Sequence, residues 1–156
     1  GKDVTLLDPK VYEVLQANQF LLADRYQISS AFMNHAGIPT LAYRIDVGGK
    51  RIVITGDGVP DEQFPEFCQG ADLLSIECSG TSEFLSRQAW GSWHIEPASI
   101  ARIASEAGIK AVIIKHLVME DITGDREIGN SMAKQIQSHY GGEVIVGEDG
   151  LTIDLG

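Results

Sequence analysis

The sequence predicts an α/β domain in which a mixed sheet carries helices on one of its faces. Three observations point there. From residue 40 onward, short apolar runs of strand length alternate with longer amphipathic stretches. Gly48-Gly49 separates two of these runs and marks a tight turn, so the first pairing is an antiparallel hairpin. The later runs are separated by whole helical stretches, so they pair in parallel through right-handed crossovers.

Taken in order, residues 11–22 space their apolar side chains as a helix does. Residues 24–37 are the least regular stretch, and His35 falls in the polar run Met33-Asn34-His35-Ala36-Gly37, which reads as a loop. Residues 40–47 and 50–56 are the two arms of the hairpin. Residues 60–69 predict a short helix stopped by Gly70. Residues 71–77 (Ala71-Asp72-Leu73-Leu74-Ser75-Ile76-Glu77) predict a buried strand. The helix over 96–107 is well punctuated, with Pro97 in its first turn and Gly108 just past its end. A strand over 109–115 and a helix over 125–140, closed by Gly141-Gly142, follow. Residues 143–146 and 151–155 predict a last strand pair around Glu148-Asp149-Gly150.

The 156 residues suit a single domain spanning 1–156, and an apolar fraction of 44% suffices for a core. No apolar run approaches the ~20 residues that span a bilayer, so no membrane partner is expected. The first residues carry no signal-peptide pattern. Cys68 and Cys78 form no C-x-x-C pair and read as reduced thiols of a cytoplasmic protein. The net charge of −10 disfavours non-specific nucleic-acid binding, which needs Lys and Arg on phosphates. The patterns G-x-x-x-x-G-K-[ST], G-x-G-x-x-G and G-x-S-x-G do not occur, and Ser79-Gly80-Thr81 is too common a string to indicate a serine hydrolase.

The chemistry-bearing residues cluster at strand ends. Thr55-Gly56-Asp57-Gly58 follows the apolar run Arg51-Ile52-Val53-Ile54, and His116 follows Ala111-Val112-Ile113-Ile114-Lys115. In open α/β sheets functional groups favour the carboxyl ends of strands. With His35, these residues make a nitrogen and carboxylate-oxygen donor set that suits zinc or another transition metal. Each has a plainer role as well. Asp57 can cap the helix expected near Pro60, His116 can be a core histidine bonded to backbone, and His35 can be a surface histidine. His94, before the helix at 96–107, suits a general acid or a loop histidine packed between Trp90 and Trp93. Glu77 can orient a histidine or stand at the surface as a strand-end carboxylate. His139 sits at a helix C-terminus, where a cation meets the dipole favourably, and reads as structural.

Together these residues resemble the metallo-β-lactamase superfamily, in its C-terminal half, and most of all its ribonuclease Z and arylsulfatase-like branch. The residues that carry the likeness are the histidine loop and strand from Asn34 to Arg44, the strand ending in Thr55-Gly56-Asp57, the segment Ala71 to Glu77, and the stretch from His94 to His116. It extends over 34–155. Gly58 stands where the branch usually has Thr, and Met119 where it usually has Pro.

The resemblance implies half of a four-layer αββα sandwich, with His35 on a first metal, Asp57 bridging two, and His116 on a second. His94 would contact the scissile group or protonate the leaving group, and Glu77 would support that region. The metals would be zinc, one or two in a complete site, and the reaction hydrolysis of an ester such as a phosphodiester or sulfate ester. The superfamily's H-x-H-x-D-H signature does not occur here, and the chain has only four histidines. The chain is therefore expected to be inactive alone, completed by a missing N-terminal half or covered in a homodimer. The other expectation is a non-catalytic, dimerising interaction domain with a remnant metal site.

Overall fold

The structure, a computed structural model, describes residues 13–17 and 21–156. An antiparallel meander comes first. β1 (Leu21–Ala23) pairs with β2 (Tyr26–His35), β2 with β3 (Ile38–Val47), and β3 with β4 (Lys50–Thr55) across the Gly48-Gly49 turn. β5 (Val59–Pro60) folds back onto β2, setting Val59 opposite Asn34. After the single turn of α1 (Phe64–Phe67) the chain changes mode. β6 (Leu73–Glu77), α2 (Ser82–Ser86), a 3-10 turn at Gly91–Trp93, α3 (Pro97–Glu106), β7 (Ala111–Lys115), α4 (Val118–Thr123), α5 (Glu127–Gln137) and β8 (Glu143–Val146) follow. β4, β6, β7 and β8 are parallel, and the spatial order of the sheet is β1-β2-β3-β4-β6-β7-β8. This is the mixed α/β sheet expected.

Side-chain alternation assigns the two faces. Val53, Leu74, Ile76, Val112 and Ile114 point one way and are completely buried. They pack with Ile100, Ile103 and Ala104 of α3 and Met132, Ala133 and Ile136 of α5 in one core. Pro97 stands in the first turn of α3, where its missing N–H is not needed. Just past the end of α5 the buried Tyr140 donates its hydroxyl to the Ile109 carbonyl at 2.8 Å, and burial pushes its phenol up to about 12. On the opposite face Ile54 and its cross-strand neighbour Tyr43 stay 40% and 41% exposed. Leu151, Ile153 and Leu155 line a concavity there with Ile52, Leu73 and Ile113. Lys50 Nζ donates to the Leu155 carbonyl and fixes the end of that segment.

Four expectations need correction. Residues 13–17 are irregular and Leu21–Ala23 is a strand, so no helix covers the described part of 11–22; residues 11, 12 and 18–20 of that expectation lie outside the described residues. The stretch read as irregular is β2, with His35 at its end, paired residue for residue with β3 from Tyr26↔Val47 to His35↔Ile38. Ser29 and Ser30 are buried in the middle of it and break the apolar alternation that betrays a strand, so pairing decides the conformation there. The helix expected over 60–69 shrinks to Phe64–Phe67 because Val59 and Pro60 are taken up by β2. Residues 151–155 form no strand, since β8 runs parallel to β7 and no hairpin follows it. Among the described residues no helix is long and apolar enough to cross a membrane.

Asp72 ties the entrances of three parallel strands together. Its carboxylate accepts from Arg51 N at 2.8 Å and from Lys110 Nζ at 2.7 Å, just before β6 and β7 begin. These two bonds hold its carboxyl below the ordinary value of 3.8. A depressed folded-state value stabilises fully above the unfolded value, and the benefit is lost as pH falls through the folded value. Asp72→Asn is therefore expected to lower stability at neutral pH and to converge with the wild type in acid. Urea unfolding at several pH values from neutral to below the ordinary carboxylate range checks this.

Candidate functional site

The site is built where the parallel strands end. β4 leads into Thr55-Gly56-Asp57-Gly58, and backbone bonds fix the turn. Gly56 N donates to the Leu41 carbonyl at 2.8 Å, and the Thr40 hydroxyl donates to the Asp57 carbonyl. Gly58 adopts a φ of +131°, and a Cβ there would sit 2.8 Å from the Asn34 carbonyl oxygen, so both backbone conformation and space require glycine. Asp57 does not act as the cap of α1: that helix begins at Phe64, with Gln63 at its N-cap.

β6 delivers Glu77, whose carboxylate has no exposed surface yet is well supplied with donors. Oε1 accepts from Gly58 N at 3.0 Å, from His94 Nδ1 at 3.0 Å and from Ile95 N at 3.4 Å. Oε2 accepts from the Ser79 hydroxyl at 2.8 Å. A buried carboxylate is tolerable when donors surround it in this way.

His94 emerges from the 3-10 turn after α2, whose start is capped by the Thr81 hydroxyl accepting from Phe84 N. Gly91 shapes this loop, because a Cβ there would meet the Leu85 carbonyl oxygen at 1.8 Å. Trp90 packs edge-on against His94, with Phe84 against Trp90, at centroid separations of 5.3 and 6.0 Å. The 40% exposed Trp93 stands edge-on to His35. His94 was expected to lie near two tryptophans; the structure sets Trp90 against it directly, and Trp93 beside His35.

His116 follows β7 in left-handed backbone, φ +56°, an uncommon conformation for a non-glycine residue. Its Nε2 lies 3.5 Å from Asp57 Oδ2, and its ring stacks on His94 at 5.7 Å. His35, at the end of β2, sits 4.9 Å from the His94 ring and holds its Nδ1 3.3 Å from the Trp93 carbonyl. The structure thus brings His35, Asp57, Glu77, His94 and His116 to one place. His139 stays apart, its Nδ1 2.8 Å from the Ser138 hydroxyl at the end of α5. Cys78 packs against the sulfur of Met132, and burial pushes its thiol above the ordinary range, so it is no metal ligand as it stands.

Asp57 and His116 are an oxygen and a nitrogen donor already near each other, which fits two corners of a zinc site. Among the described residues, however, no three His, Cys, Asp or Glu side chains form a group that could hold a metal. The described residues fit part of such a site and not the whole of a four-coordinate one.

The arrangement around His94 has a definite polarity. A carboxylate only accepts, so the nitrogen facing Glu77 carries a proton, which leaves Nε2 to exchange protons with whatever occupies the site. Ser79 was not among the residues singled out, yet its oxygen lies 3.0 Å from the same Nδ1. The signal was its spacing: two residues beyond Glu77 in extended chain, it projects to the same side. The three do not form a nucleophilic triad. Serine and acid contact the same ring nitrogen rather than opposite ones, and Ser79 is fully buried.

Comparison with known proteins now bears on this geometry. No family model matches the sequence. The chain is 32% identical over 107 residues to the ribonuclease Z of Myxococcus xanthus, covering 69% of this chain and 33% of that protein. It is 26% identical over 137 residues to the probable metallo-hydrolase YhfI of Bacillus subtilis, covering 88% of this chain and 52% of that one. The crystal structure of YhfI, a metallo-β-lactamase fold protein, superposes with a TM-score of 0.72 over 87% of this chain and 51% of its own. The fold is that of the metallo-β-lactamase superfamily. Zinc-bound PqqB of Methylobacterium extorquens shares this metallo-β-lactamase architecture, with a TM-score of 0.62 at 19% identity over 88% of this chain and 54% of its own. The chain spans between a third and about half of the relatives it matches.

Gly58→Ala tests the tight turn that carries Asp57. A side chain there must displace the Asn34 carbonyl, and the expected cost is about 1–3 kcal/mol. Denaturant unfolding measures it, with Gly150→Ala, a glycine that also has positive φ but open surroundings, as the less costly control.

Proposed function

We propose that this chain is part of a metal-dependent hydrolase, related to ribonuclease Z and YhfI, that cleaves an ester such as a phosphodiester or sulfate ester. The observation that carries this reading is the convergence of Asp57, His116 and His94 at the ends of β4 and β7 and beside the buried Glu77. In it Asp57 and His116 bind the metal, His35 adds a further nitrogen, and the metal is zinc. The bound metal supplies water activation and neutralises developing charge. The chain's own residues do the rest. Glu77 holds His94 Nδ1–H, and His94 Nε2–H gives its proton to the departing oxygen. Trp90 and Trp93 wall the His94 side of the site and limit water there.

The remaining metal donors come, in this reading, from a segment or partner outside these 156 residues, which places this chain as the C-terminal half of the sandwich. The half-exposed face carrying Tyr43 and Ile54 is where that second layer, or a second copy in a homodimer, would pack. The two buried, unpaired thiols suit a cytoplasmic protein. One observation favours the second reading, a dimerising interaction domain without catalysis: the donor set is incomplete among the described residues.

Zinc calorimetry separates the two. The hydrolase reading expects measurable zinc binding by the wild type, weakened by more than about tenfold in His116→Ala and Asp57→Asn. The interaction-domain reading expects no binding in any of the three. Added zinc should leave bis-p-nitrophenyl phosphate hydrolysis by the chain alone near background, and brisk turnover would refute the need for outside donors. Sedimentation at micromolar concentration is expected to show a dimer whose dissociation is promoted by Ile54→Lys; a monomer would remove the homodimer.

A further inference from the structure

The geometry points to Ser79 as a positioning residue for His94, a role that rests on the hydrolase reading of that histidine. Ser79 has no exposed surface and its hydroxyl has one proton to donate. That proton goes to Glu77 Oε2 at 2.8 Å, the single bond this oxygen receives among the described residues. The lone pairs of the same hydroxyl then face His94 Nδ1 at 3.0 Å. With the hydroxyl proton on Oε2, Nδ1–H is shared between two acceptors, Glu77 Oε1 and Ser79 Oγ; were that nitrogen bare, Glu77 Oε1 would face it with no proton between them. One hydroxyl thus sets the rotation of the carboxylate and the tautomer of the ring together.

Without the hydroxyl, Glu77 Oε2 is buried and unpaired. The carboxylate then gains by turning, and Oε1 moves off the line that joins Gly58 N to His94 Nδ1. A hydroxyl that served packing alone would not move the His94 proton.

The test is 15N NMR of the imidazole nitrogens in the whole chain, at one fixed alkaline pH where the ring is neutral, with His94→Gln to assign the signals. Wild type and Ser79→Thr, which keeps the hydroxyl, are expected to hold His94 as the Nδ1–H tautomer. Ser79→Ala is expected to lower the ratio of Nδ1–H to Nε2–H at least about fivefold, the equivalent of one neutral hydrogen bond. Should Ser79→Ala fail to fold, Ser79→Cys, with its weaker donor and acceptor, is expected to shift the ratio in the same direction. An unchanged ratio in the folded variant, with only the melting temperature lowered, overturns the proposal. The readout uses neither metal nor substrate, so failure of the hydrolase reading appears separately, as absent zinc binding with the tautomer shift intact.

Discussion

The buried carboxylate of Glu77 is the constraint on which the site depends. It lies at the seam where β4, β6 and the loop before α3 meet, and it accepts from all three. Few other side chains could satisfy Gly58 N, Ile95 N, Ser79 and His94 at once while excluding water. A glutamine would have to turn a donor toward at least one other donor. The Asp57 turn and the His94 ring are consequently two ends of one hydrogen-bonded unit. Desolvating the carboxylate is costly, and the four bonds offset that cost only because the backbone presents two of the donors already aimed.

The other pieces follow from chain geometry. The parallel strands must end at one edge, since the chain crosses back to the opposite edge before each of β6, β7 and β8. Asp57, Glu77 and His116 therefore share a rim without being near in sequence. Fixing the entrances of the strands, as Asp72 does with Arg51 and Lys110, also sets the height at which they finish. The left-handed residue His116 and the crowded Gly58 are two local departures from easy backbone that lie at this rim.

Much of the parallel half was legible from the sequence. The helix Pro97–Glu106 and strand Ala111–Lys115 were marked by Pro97, Gly108 and a continuous apolar run, signals that depend on neighbours in the chain. The long β2 was not legible. Ser29 and Ser30 hide its alternation, and only its partner β3 makes it a strand. The same holds for Val59–Pro60, whose conformation belongs to a contact with Met33 and Asn34. In the site, Asp57, Glu77, His94 and His116 stood out because charged or titratable groups closed apolar runs or faced a helix start. Ser79 did not, because a serine after a strand is unremarkable until its bonds are known. Sequence likeness to the metallo-β-lactamase superfamily supplied the remaining order, and the shared fold agrees with it.

The split between meander and parallel half has a consequence for how the chain reaches this state. β2, β3 and β4 pair through two short turns, so their contacts close small loops. Joining Leu73 to Ala111 must close a far longer one, with α2 and α3 inside it. Loop closure of that size is slow, and contact order sets the pace of folding. Asp57 stands at the end of the fast unit, whereas Glu77 and His116 belong to the slow one. Convergence of the site is thus a late event, and until it occurs the β4 edge offers unpaired backbone to any other strand.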